Sequence, residues 1–374
     1  GGGSFSRTQK SVALSAEARA VLGVDVDALS PDELVAALLR APVDLLFFGG
    51  IGTFVRGGDE SNLDAGDRVN DRVRISAGDL RARVVGEGAN LGMTPRARVD
   101  FARRGGRINS DAIDNVGGVA TSDAEVNIKI AFGRAMAAGR LTLSERNELL
   151  AGMTDDIAAG VLRLCRRQVV ALSVTRARGS GELPRLMRLS AVLAERGLLD
   201  PRREGLPDEV AAGRLAAAGE TLSRPETAIL MAHAKLMLSD ELLAGRLIDD
   251  PALNDWLTHA FPPAMRARFA EDIAAHRLAR DILATRIAGA AVDAAGPTFV
   301  SRLGDEADVD AEAAVRALVV AAAAFGTDSV TAEIDALEGK VAGAIWVELR
   351  RRVADFLTDA ALWVAQNVEA EGDL

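Results

Sequence analysis

Two short predicted strands that each end in glycine-rich sequence place the strongest constraint on the fold of this chain. Residues 43–48 (Val-Asp-Leu-Leu-Phe-Phe) run into Gly49-Gly50-Ile51-Gly52, and residues 81–85 run into Gly86-x-Gly88-x-x-x-Gly92. Short runs rich in β-branched and aromatic residues, closed by glycines, are typical of strands. Thr94-Pro95 then supplies a helix start after the second run. Strand, glycine turn and helix in this order predict a parallel, doubly wound arrangement.

The flanking sequence extends this α/β region. Ser30-Pro31-Asp32-Glu33 is a capping box with proline at the first helical position, so it predicts a helix over 32–39. Residues 56–67 are polar and glycine-rich, which predicts a loop, and residues 107–109 predict a short strand. Because so few strands are predicted, we expect only the C-terminal part of a Rossmann-like doubly wound sheet.

Helical patterns dominate after residue 122. Capping boxes recur at Thr142…Glu145 and Ser223…Glu226. The predicted loops between the helices fall at about 177–183, 200–207, 220–224, 249–251, 295–298 and 303–308. The predicted fold class is therefore α/β followed by all-α, with residues 1–135 in the sheet-containing domain and residues 136–374 in a large helical domain.

Charge and composition exclude several classes of function. The chain has 44 basic and 54 acidic residues, a net charge of −10, so we expect no nucleic-acid partner. A single cysteine excludes an intrachain disulfide and a cysteine-rich zinc site, and it fits a reducing, cytoplasmic compartment. The three histidines are widely spaced, so no metal site is predicted. The apolar run 317–325 is too short to span a bilayer, and we expect no membrane partner.

The glycine motif at 86–92 has two interpretations. Its position between a strand and a helix resembles a dinucleotide-binding turn, in which glycines let the backbone approach a pyrophosphate. Asp111, about 20 residues later, would then be a candidate ribose partner. The alternative is a tight strand-to-helix turn without a ligand.

Residues 115–125 contain two further candidate sites. Asn115 precedes Gly117-Gly118 and offers an amide that matches a carboxamide, or it belongs to an ordinary loop. Ser122-x-x-Glu125 is typical of a capping box at a helix start, with Glu125 also spaced to pair with Lys129. The functional alternative is that the Ser122 hydroxyl faces a carboxylate ligand at a helix N-terminus.

Isolated histidine and cysteine residues favour structural roles. His276 lies in a helical pattern, where a lone histidine is usually packed or hydrogen-bonded. Cys165 lies among apolar and arginine residues of a predicted long helix, so we expect a core thiol.

Taken together, these motifs resemble the end of the cofactor domain in glutamate dehydrogenases. The resemblance depends on Val85-Gly86-Glu87-Gly88-Ala89-Asn90, Thr94-Pro95 and Asn115-Val116-Gly117-Gly118-Val119-x-x-Ser122. Val116 stands where the family usually has alanine. Further matches resemble the very large bacterial NAD-specific enzymes, at residues 42–53, 105–109, 222–226, 260–262, 276–278 and 296–299. The resemblance covers about residues 5–326.

The resemblance implies oxidative deamination of L-glutamate to 2-oxoglutarate and ammonia, with hydride passing to NAD. The family's catalytic lysine, its acid–base aspartate and its main pyrophosphate loop lie upstream of the matched motifs. Lys129 follows the serine motif and does not take the lysine's role. The resemblance therefore implies that this chain is the C-terminal portion of a longer enzyme in amino-acid catabolism, without a catalytic residue of its own and inactive alone.

The same resemblance assigns site residues one by one. Asn90 and Asn115 would lie near the nicotinamide and its ribose. Gly49, Gly50 and Gly117 would allow close approach of the cofactor. Val119 and Ser122 would line the pocket for the glutamate side chain, with Ser122 donating to the distal carboxylate. It also places the 86–92 motif at the nicotinamide end, and we prefer this to the pyrophosphate interpretation.

Two other hypotheses remain open. The long helical region could be a non-catalytic scaffold for assembly or regulation, and we expect a homo-oligomer through the parent enzyme. The chain could also belong to a different nicotinamide dehydrogenase with a helical cap, which would show no preference for glutamate.

Overall fold

A computed structural model describes residues 3–368 and divides the chain into two compact units. The first unit runs to Val116 and also includes residues 201–208 and 223–229. The second unit contains residues 117–200 and 209–222 and the chain from Leu230 onward. Within the described residues, all strands belong to the first unit.

The first unit combines short strands with short helices. Its strands are β1 (Val12–Ala13), β2 (Ala28–Leu29), β3 (Leu45–Phe48), β4 (Val55–Arg56), β5 (Ile75–Ser76) and β6 (Val84–Glu87). Its helices are α1 (Ala16–Leu22), α2 (Pro31–Leu39), α3 (Pro95–Arg103) and α4 (Asp111–Asp114), with 3-10 turns at Arg68–Asn70 and Ala77–Asp79.

The strands form three two-stranded sheets. β1 and β2 are antiparallel, whereas β3 pairs with β6 and β4 pairs with β5 in parallel. In the β3–β6 pair, Phe48 lies opposite Glu87, so both strands end at the same edge. Arg107 extends this pair by one parallel bridge to Val84. The predicted strand at 107–109 is thus reduced to a single bridge.

One apolar cluster holds the first unit together. Val55, Met93 and Ala97 have no exposed surface, and Phe48 and Val85 pack in the same cluster. These residues come from β3, β4, β6, the start of α3 and the residues just before it. Burial of side chains of this size stabilises a fold by about 1.5–3 kcal/mol each, which fixes the strand ends relative to α3.

All the regular elements in the described part of the second unit are helices or 3-10 turns. Its helices are α5 (Val116–Ala137, whose first residue closes the first unit), α6 (Leu143–Gly152), α7 (Thr154–Ala177), α8 (Leu183–Glu195), α9 (Glu209–Ala217), α10 (Arg224–Ala244, which begins in the first unit), α11 (Asn254–Thr258), α12 (Pro263–Arg266), α13 (Ala270–Ala274), α14 (Ala279–Ala295), α15 (Phe299–Ala307), α16 (Ala311–Phe325), α17 (Thr327–Asp335) and α18 (Gly343–Asn367). Three 3-10 turns lie at Gly179–Glu182, Leu247–Asp249 and Pro251–Leu253.

Aromatic and aliphatic side chains fill the helical unit. Phe132 of α5 and Phe269 are fully buried, and their rings meet edge to face with centroids 5.0 Å apart. α18 packs against α7 and α16. Its Trp346 is buried, and the indole N–H donates to the Ile334 carbonyl over 2.9 Å. The mostly helical character predicted for this part of the chain is confirmed.

Local capping signals predict the starts of α2, α3 and α6 correctly. Ser30 and Glu33 form a reciprocal capping box at α2, and Thr142 and Glu145 form one at α6. At Ser223, the backbone N–H donates to Glu226 over 2.7 Å, which is one half of the predicted box.

Three local predictions are wrong. Ser122 and Glu125 do not cap a helix, because α5 already begins at Val116 and Ser122 is its seventh residue. The same helix start removes the loop predicted at Asn115–Val116–Gly117–Gly118. α15 covers residues 303–307, where a loop was predicted. Residue 135, near which the domain boundary is predicted, lies within α5, and the division of the chain at that residue stays a prediction.

Among residues 3–368, no single helix is long and apolar enough to cross a membrane. α16 and α17 pass the test of length and composition only as a pair, and they are bent by 70°. The same residues contain no group of three or more His, Cys, Asp or Glu side chains that could hold a metal ion.

Candidate functional site

The carboxyl ends of β3 and β6 bring the two glycine-rich segments together. The Ala89 N–H donates to the Phe48 carbonyl over 3.1 Å, which continues the strand pairing beyond Glu87. Gly49-Gly50 and the segment around Asn90 therefore leave the sheet side by side. In open parallel sheets, ligands bind at this carboxyl edge.

The glycines after β3 leave the backbone accessible. Gly49 and Gly50 are exposed, and a Cβ atom on Gly50 would have no neighbour within 4 Å. Gly52 has φ of +137°, a backbone conformation that residues other than glycine rarely adopt. The segment after β3 therefore turns sharply and presents bare peptide groups at the sheet edge.

Asn90 and Asn115 meet at this edge. The Asn115 side-chain amide donates a hydrogen bond to the Asn90 side-chain oxygen. Asn90 is exposed and Asn115 is half-buried, so their remaining amide groups can reach a ligand. Two residues that are 25 positions apart in sequence thus form one polar pair.

Buried charges hold the segment that carries Asn90. Arg98 of α3 binds both carboxylate oxygens of Glu87, at 2.7 and 3.0 Å, and its Nη2 lies 2.9 Å from Oδ2 of Asp111. The Arg98 and Glu87 side chains are 4% and 0% exposed, and Asp111 is 16% exposed. We refer to these three residues as the Glu87–Arg98–Asp111 network.

The charges in this network support each other. Burial opposes the charge of Arg98, but its hydrogen bonds to Glu87 and the nearby charges of Glu87 and Asp111 outweigh that effect and raise its pKa. Burial raises the pKa of Glu87, and the ion pair with Arg98 opposes that rise. Removing one partner would leave the other charge buried without compensation.

Asp111, the ribose partner suggested by the spacing, is engaged by protein donors instead. Its Oδ2 accepts the Leu91 N–H at 2.9 Å besides the Arg98 contact, and its Oδ1 accepts the N–H of Ala112. Both carboxylate oxygens therefore serve the local fold. The assignment of the 86–92 motif to the nicotinamide end stays a prediction.

The other predicted site residues lie on α5, in the second unit. Val119 is 57% exposed and Ser122 is exposed. A Cβ atom on Gly117 would lie 3.5 Å from Cys165 Sγ of α7, so this glycine faces a neighbouring helix. The roles of Gly117, Val119 and Ser122 toward ligands stay predictions.

Three residues outside the site were expected to have structural roles. Lys129 and His276 have them as expected, and Cys165 is less buried than expected. Lys129 forms the predicted ion pair with Glu125. His276 is buried; its Nε2 donates to the Asn127 carbonyl over 3.1 Å and its Nδ1 accepts the Leu278 N–H. Cys165 is a free, half-buried thiol and not a fully buried core residue.

An open cavity of about 530 Å³ lies at the opposite edge of the β3–β6 pair. It is lined by Arg81, Arg83, Arg104 and Arg107 among other residues. Arg81 and Arg104 donate to backbone carbonyls, and Arg83 pairs with Asp44 at 3.1 Å. These contacts give most of the arginines a structural role.

Sequence reasoning missed Arg98 and the inward orientation of Glu87. Glu87 lies on a short strand and Arg98 on a short helix, and in both elements some residues face the core and others face solvent. Neither the spacing nor the type of a charged residue shows that it is buried. The available signal was position: Glu87 ends an apolar strand, and Arg98 follows Ala97 on the face of α3 that packs in the core.

Comparison with known proteins finds similarity to glutamate dehydrogenases. A family model described as bacterial NAD-glutamate dehydrogenase, catalytic domain, matches residues 1–175. A second, described as glutamate dehydrogenase, C-terminal, matches residues 219–374. The chain is therefore similar, along most of its length, to the catalytic and C-terminal domains of glutamate dehydrogenases.

Individual relatives are similar along nearly the whole chain. The NAD-specific glutamate dehydrogenase of Mycobacterium tuberculosis is 44% identical over 343 residues, which are 90% of this chain and 21% of the relative. The enzyme of the same name from Pseudomonas aeruginosa is 39% identical over 373 residues, 100% of this chain and 23% of the relative. That of Halomonas elongata is 36% identical, with coverages of 97% and 22%. The chain thus spans about a fifth of the length of these relatives.

Proposed function

We propose that this chain is the C-terminal part of an NAD-specific glutamate dehydrogenase. The reaction converts L-glutamate, NAD⁺ and water to 2-oxoglutarate, ammonium and NADH. The observation that supports it best is the Asn90–Asn115 pair at the carboxyl edge of two parallel strands, within the region matched by the catalytic-domain family model. The isolated chain would be inactive, because the catalytic lysine is expected upstream.

In this proposal, residues 1–135 are the last part of a Rossmann-like cofactor domain. The exposed peptide groups at Gly49 and Gly50 and the free amide groups of Asn90 and Asn115 fit the ribose hydroxyls and carboxamide of a nicotinamide nucleoside. Gly117 is assigned to the same cofactor. When bound, NAD accepts the hydride. The two asparagines would orient the nicotinamide ring by hydrogen bonds to its carboxamide and ribose.

Glutamate recognition is assigned to the exposed first half of α5. Ser122 would donate its hydroxyl to the distal carboxylate of glutamate, and Val119 would contact the methylene groups of the substrate. A hydrogen bond to a charged group contributes about 1.5–3 kcal/mol. That amount is enough to select a dicarboxylic amino acid over a shorter or neutral one.

Substitution of Ser122 tests the substrate assignment. In the full-length enzyme that contains this chain, Ser122→Ala should raise the KM for glutamate by roughly 10-fold or more. Ser144→Ala, at another exposed helix position of the second unit, is the matched control and should leave the KM unchanged. An unchanged KM in Ser122→Ala would remove this role.

Calorimetric titration of NADH tests the cofactor assignment on the chain itself. Saturable binding that is lost in Asn90→Ala and Asn115→Ala would support a cofactor half-site at the sheet edge. Absence of binding would assign the essential contacts to the upstream part of the enzyme. NADH formation from glutamate by the isolated chain would contradict the proposed dependence on an upstream lysine.

A second proposal concerns the helical region from residue 136 onward. Its size favours a scaffold for a cytoplasmic homo-oligomer, independent of any ligand. Light scattering on the full-length enzyme and on a version that ends before residue 136 tests this role. An unchanged oligomeric state after the deletion would contradict it.

A further inference from the structure

We propose that Arg98 is a positioning residue that sets the Asn90–Asn115 pair for the cofactor. This inference rests on the proposed function and adds a residue that touches neither cofactor nor substrate in it. Arg98 acts through the segment 87–93, which carries Asn90 between two fixed points.

The first fixed point is Glu87, at the end of β6. Arg98 donates hydrogen bonds to both of its carboxylate oxygens, and Oε1 also accepts the Met93 N–H at 3.1 Å. Glu87 thereby closes the segment on itself, because its backbone begins the segment and its side chain holds the other end. A bidentate pair of this kind fixes direction as well as distance.

The second fixed point is Leu91, next to Asn90. Leu91 has φ of +62°, an uncommon backbone conformation for a residue with a branched side chain. Its N–H donates to Oδ2 of Asp111 at 2.9 Å, and the same oxygen contacts Arg98. The surrounding structure must hold such a conformation, and Arg98 supplies the charge that keeps Asp111 in place.

The same network fixes the position of Asn115. The Glu87 N–H donates to Oδ2 of Asp114 at 3.1 Å, and Asn109 donates to the other oxygen of Asp114 at 2.8 Å. Asp111 and Asp114 bound the short helix α4, and Asn115 is its C-cap. Arg98 therefore connects, within one network, the two elements whose asparagines form the pair.

Energetics favour a positioning role over a purely stabilising one. A buried ion pair gives little net stability relative to apolar residues of similar size, because both charges lose their hydration. It does impose a unique geometry on the groups that it binds. Here those groups border the exposed amides at the sheet edge, where a small displacement of a binding group can reduce catalysis by about 100-fold.

The experiment compares four variants of the full-length enzyme that contains this chain. Arg98→Lys keeps the charge and loses the bidentate geometry. Arg98→Met/Glu87→Gln removes both charges of the enclosed pair. Asp111, which is 16% exposed, keeps its hydrogen bonds from the Leu91 and Ala112 N–H groups. Arg98→Met alone completes the set. Arg140→Met is the matched control, because Arg140 makes a bidentate contact at 2.7 Å with the buried Asp272 in the second unit.

We expect Arg98→Lys and the double variant to lower kcat/KM for NAD by roughly 10- to 100-fold. The KM for glutamate should change by less than about 2-fold. Arg140→Met should leave kcat/KM for NAD unchanged even where its melting temperature falls. Equal losses in Arg140→Met and in the Arg98 variants would show a general effect of stability and would overturn the inference.

Amide hydrogen exchange on the 374-residue chain gives a readout that needs no activity. Peptides covering residues 88–94 should exchange at least roughly 10-fold faster in the double variant than in wild type. Peptides from β3 should keep their protection, which separates local loosening from unfolding. Arg98→Lys should show intermediate exchange.

The two arms separate this inference from the proposed function. A wild-type enzyme that forms no NADH from glutamate would overturn the proposed function, and the exchange arm alone would then decide whether Arg98 holds the segment. Unchanged exchange in the double variant overturns the inference. So does an active enzyme whose kcat/KM for NAD is the same in wild type and in the double variant.

Discussion

The Arg98–Glu87 pair of the first unit and the Arg140–Asp272 pair of the second unit bury charge in different ways. In the first unit, the Arg98–Glu87 pair is enclosed at both ends, with 4% and 0% of the side chains exposed. In the second unit, Arg140 remains 45% exposed while its partner Asp272 is 1% exposed, and Arg167 reaches the buried Asp293 in the same manner. The Arg98–Glu87 pair thus surrounds its cation, whereas the Arg140–Asp272 and Arg167–Asp293 pairs cover an aspartate with an arginine from the surface.

This difference indicates what each pair can do. An arginine that reaches in from the surface keeps much of its hydration and can shift without disturbing the backbone. An enclosed arginine requires both carboxylates to stay in place, because any displacement leaves an unpaired buried charge. The enclosed pair lies beside the candidate cofactor site, where fixed geometry matters most.

The largest expected effect tests apolar packing in the helical unit. Phe132→Ala should lower the free energy of unfolding by about 3–5 kcal/mol, because it empties a fully buried position against Phe269. Urea denaturation followed by circular dichroism measures this. Phe325→Ala is the control, since that ring is 52% exposed, and a loss as large as that of Phe132→Ala would contradict the assignment of the core.

Removal of each arginine tests the contrast between the two kinds of ion pair. Arg98→Met should lower the free energy of unfolding of the chain by about 3 kcal/mol, because Glu87 then stays buried without its partner. Arg140→Met should have a clearly smaller effect, since water and Arg134, 3.9 Å from Asp272, can compensate. Equal losses in urea denaturation would show that enclosure makes no difference.

Removal of a helix cap should reduce stability by the same amount in both units, because a cap acts only on neighbouring backbone groups. Ser30→Ala at α2 and Thr142→Ala at α6 should each reduce stability by about 1 kcal/mol, since each side chain accepts a backbone N–H in a capping box. Chemical denaturation of the two variants measures both losses of stability. Ser122→Ala is the comparison inside a helix, and we expect a change within about 0.5 kcal/mol.

The smallest effect is the pH dependence that His276 contributes to the second unit. Burial lowers the pKa of His276, the charge of Arg277 adds to this, and the hydrogen bond to Asn127 opposes it. The folded state therefore binds the proton more weakly than the unfolded state. Stability is fully present above the unfolded pKa of about 6.5 and is lost as the pH falls below it.

Denaturation between pH 5 and pH 7.5 isolates this contribution when wild type and His276→Gln are compared. The slope of stability against pH should be smaller in the variant. All three histidines lie in the second unit, so a histidine contribution to the first unit is not expected. An identical slope in both proteins would contradict the buried, neutral state of His276.

Local chemistry made much of the fold predictable. Proline and serine or threonine at the starts of α2, α3 and α6 act through neighbouring backbone N–H groups, so the sequence within four residues contains all the information. The apolar runs before Gly49 and Gly86 predicted β3 and β6 for the same reason. Asn115 was a candidate from its local pattern and Asn90 from the family resemblance, and the structure shows that the two residues contact each other.

The wrong predictions arose where longer-range packing outweighed a local signal. Ser122-x-x-Glu125 has the residues of a capping box, yet α5 extends back through Gly117-Gly118 to Val116. Gly117 lies against Cys165 and Val161 of α7, so helix packing supports a start that glycine propensity disfavours. In the same way, α15 includes residues 303–307, with Leu303 fully buried.

Neighbouring residues were enough to predict β3 and β6, the change from α/β to helical structure, the starts of α2, α3 and α6, and the resemblance to glutamate dehydrogenases. These follow from hydrophobic periodicity, from capping chemistry and from ordered motifs, all of which are properties of neighbouring residues. The three-dimensional arrangement was needed to show that Glu87, Arg98 and Asp111 form one buried network and that α5 begins before Ser122. Burial and charge pairing join residues from separate elements, and their energy depends on three-dimensional distance and not on spacing along the chain.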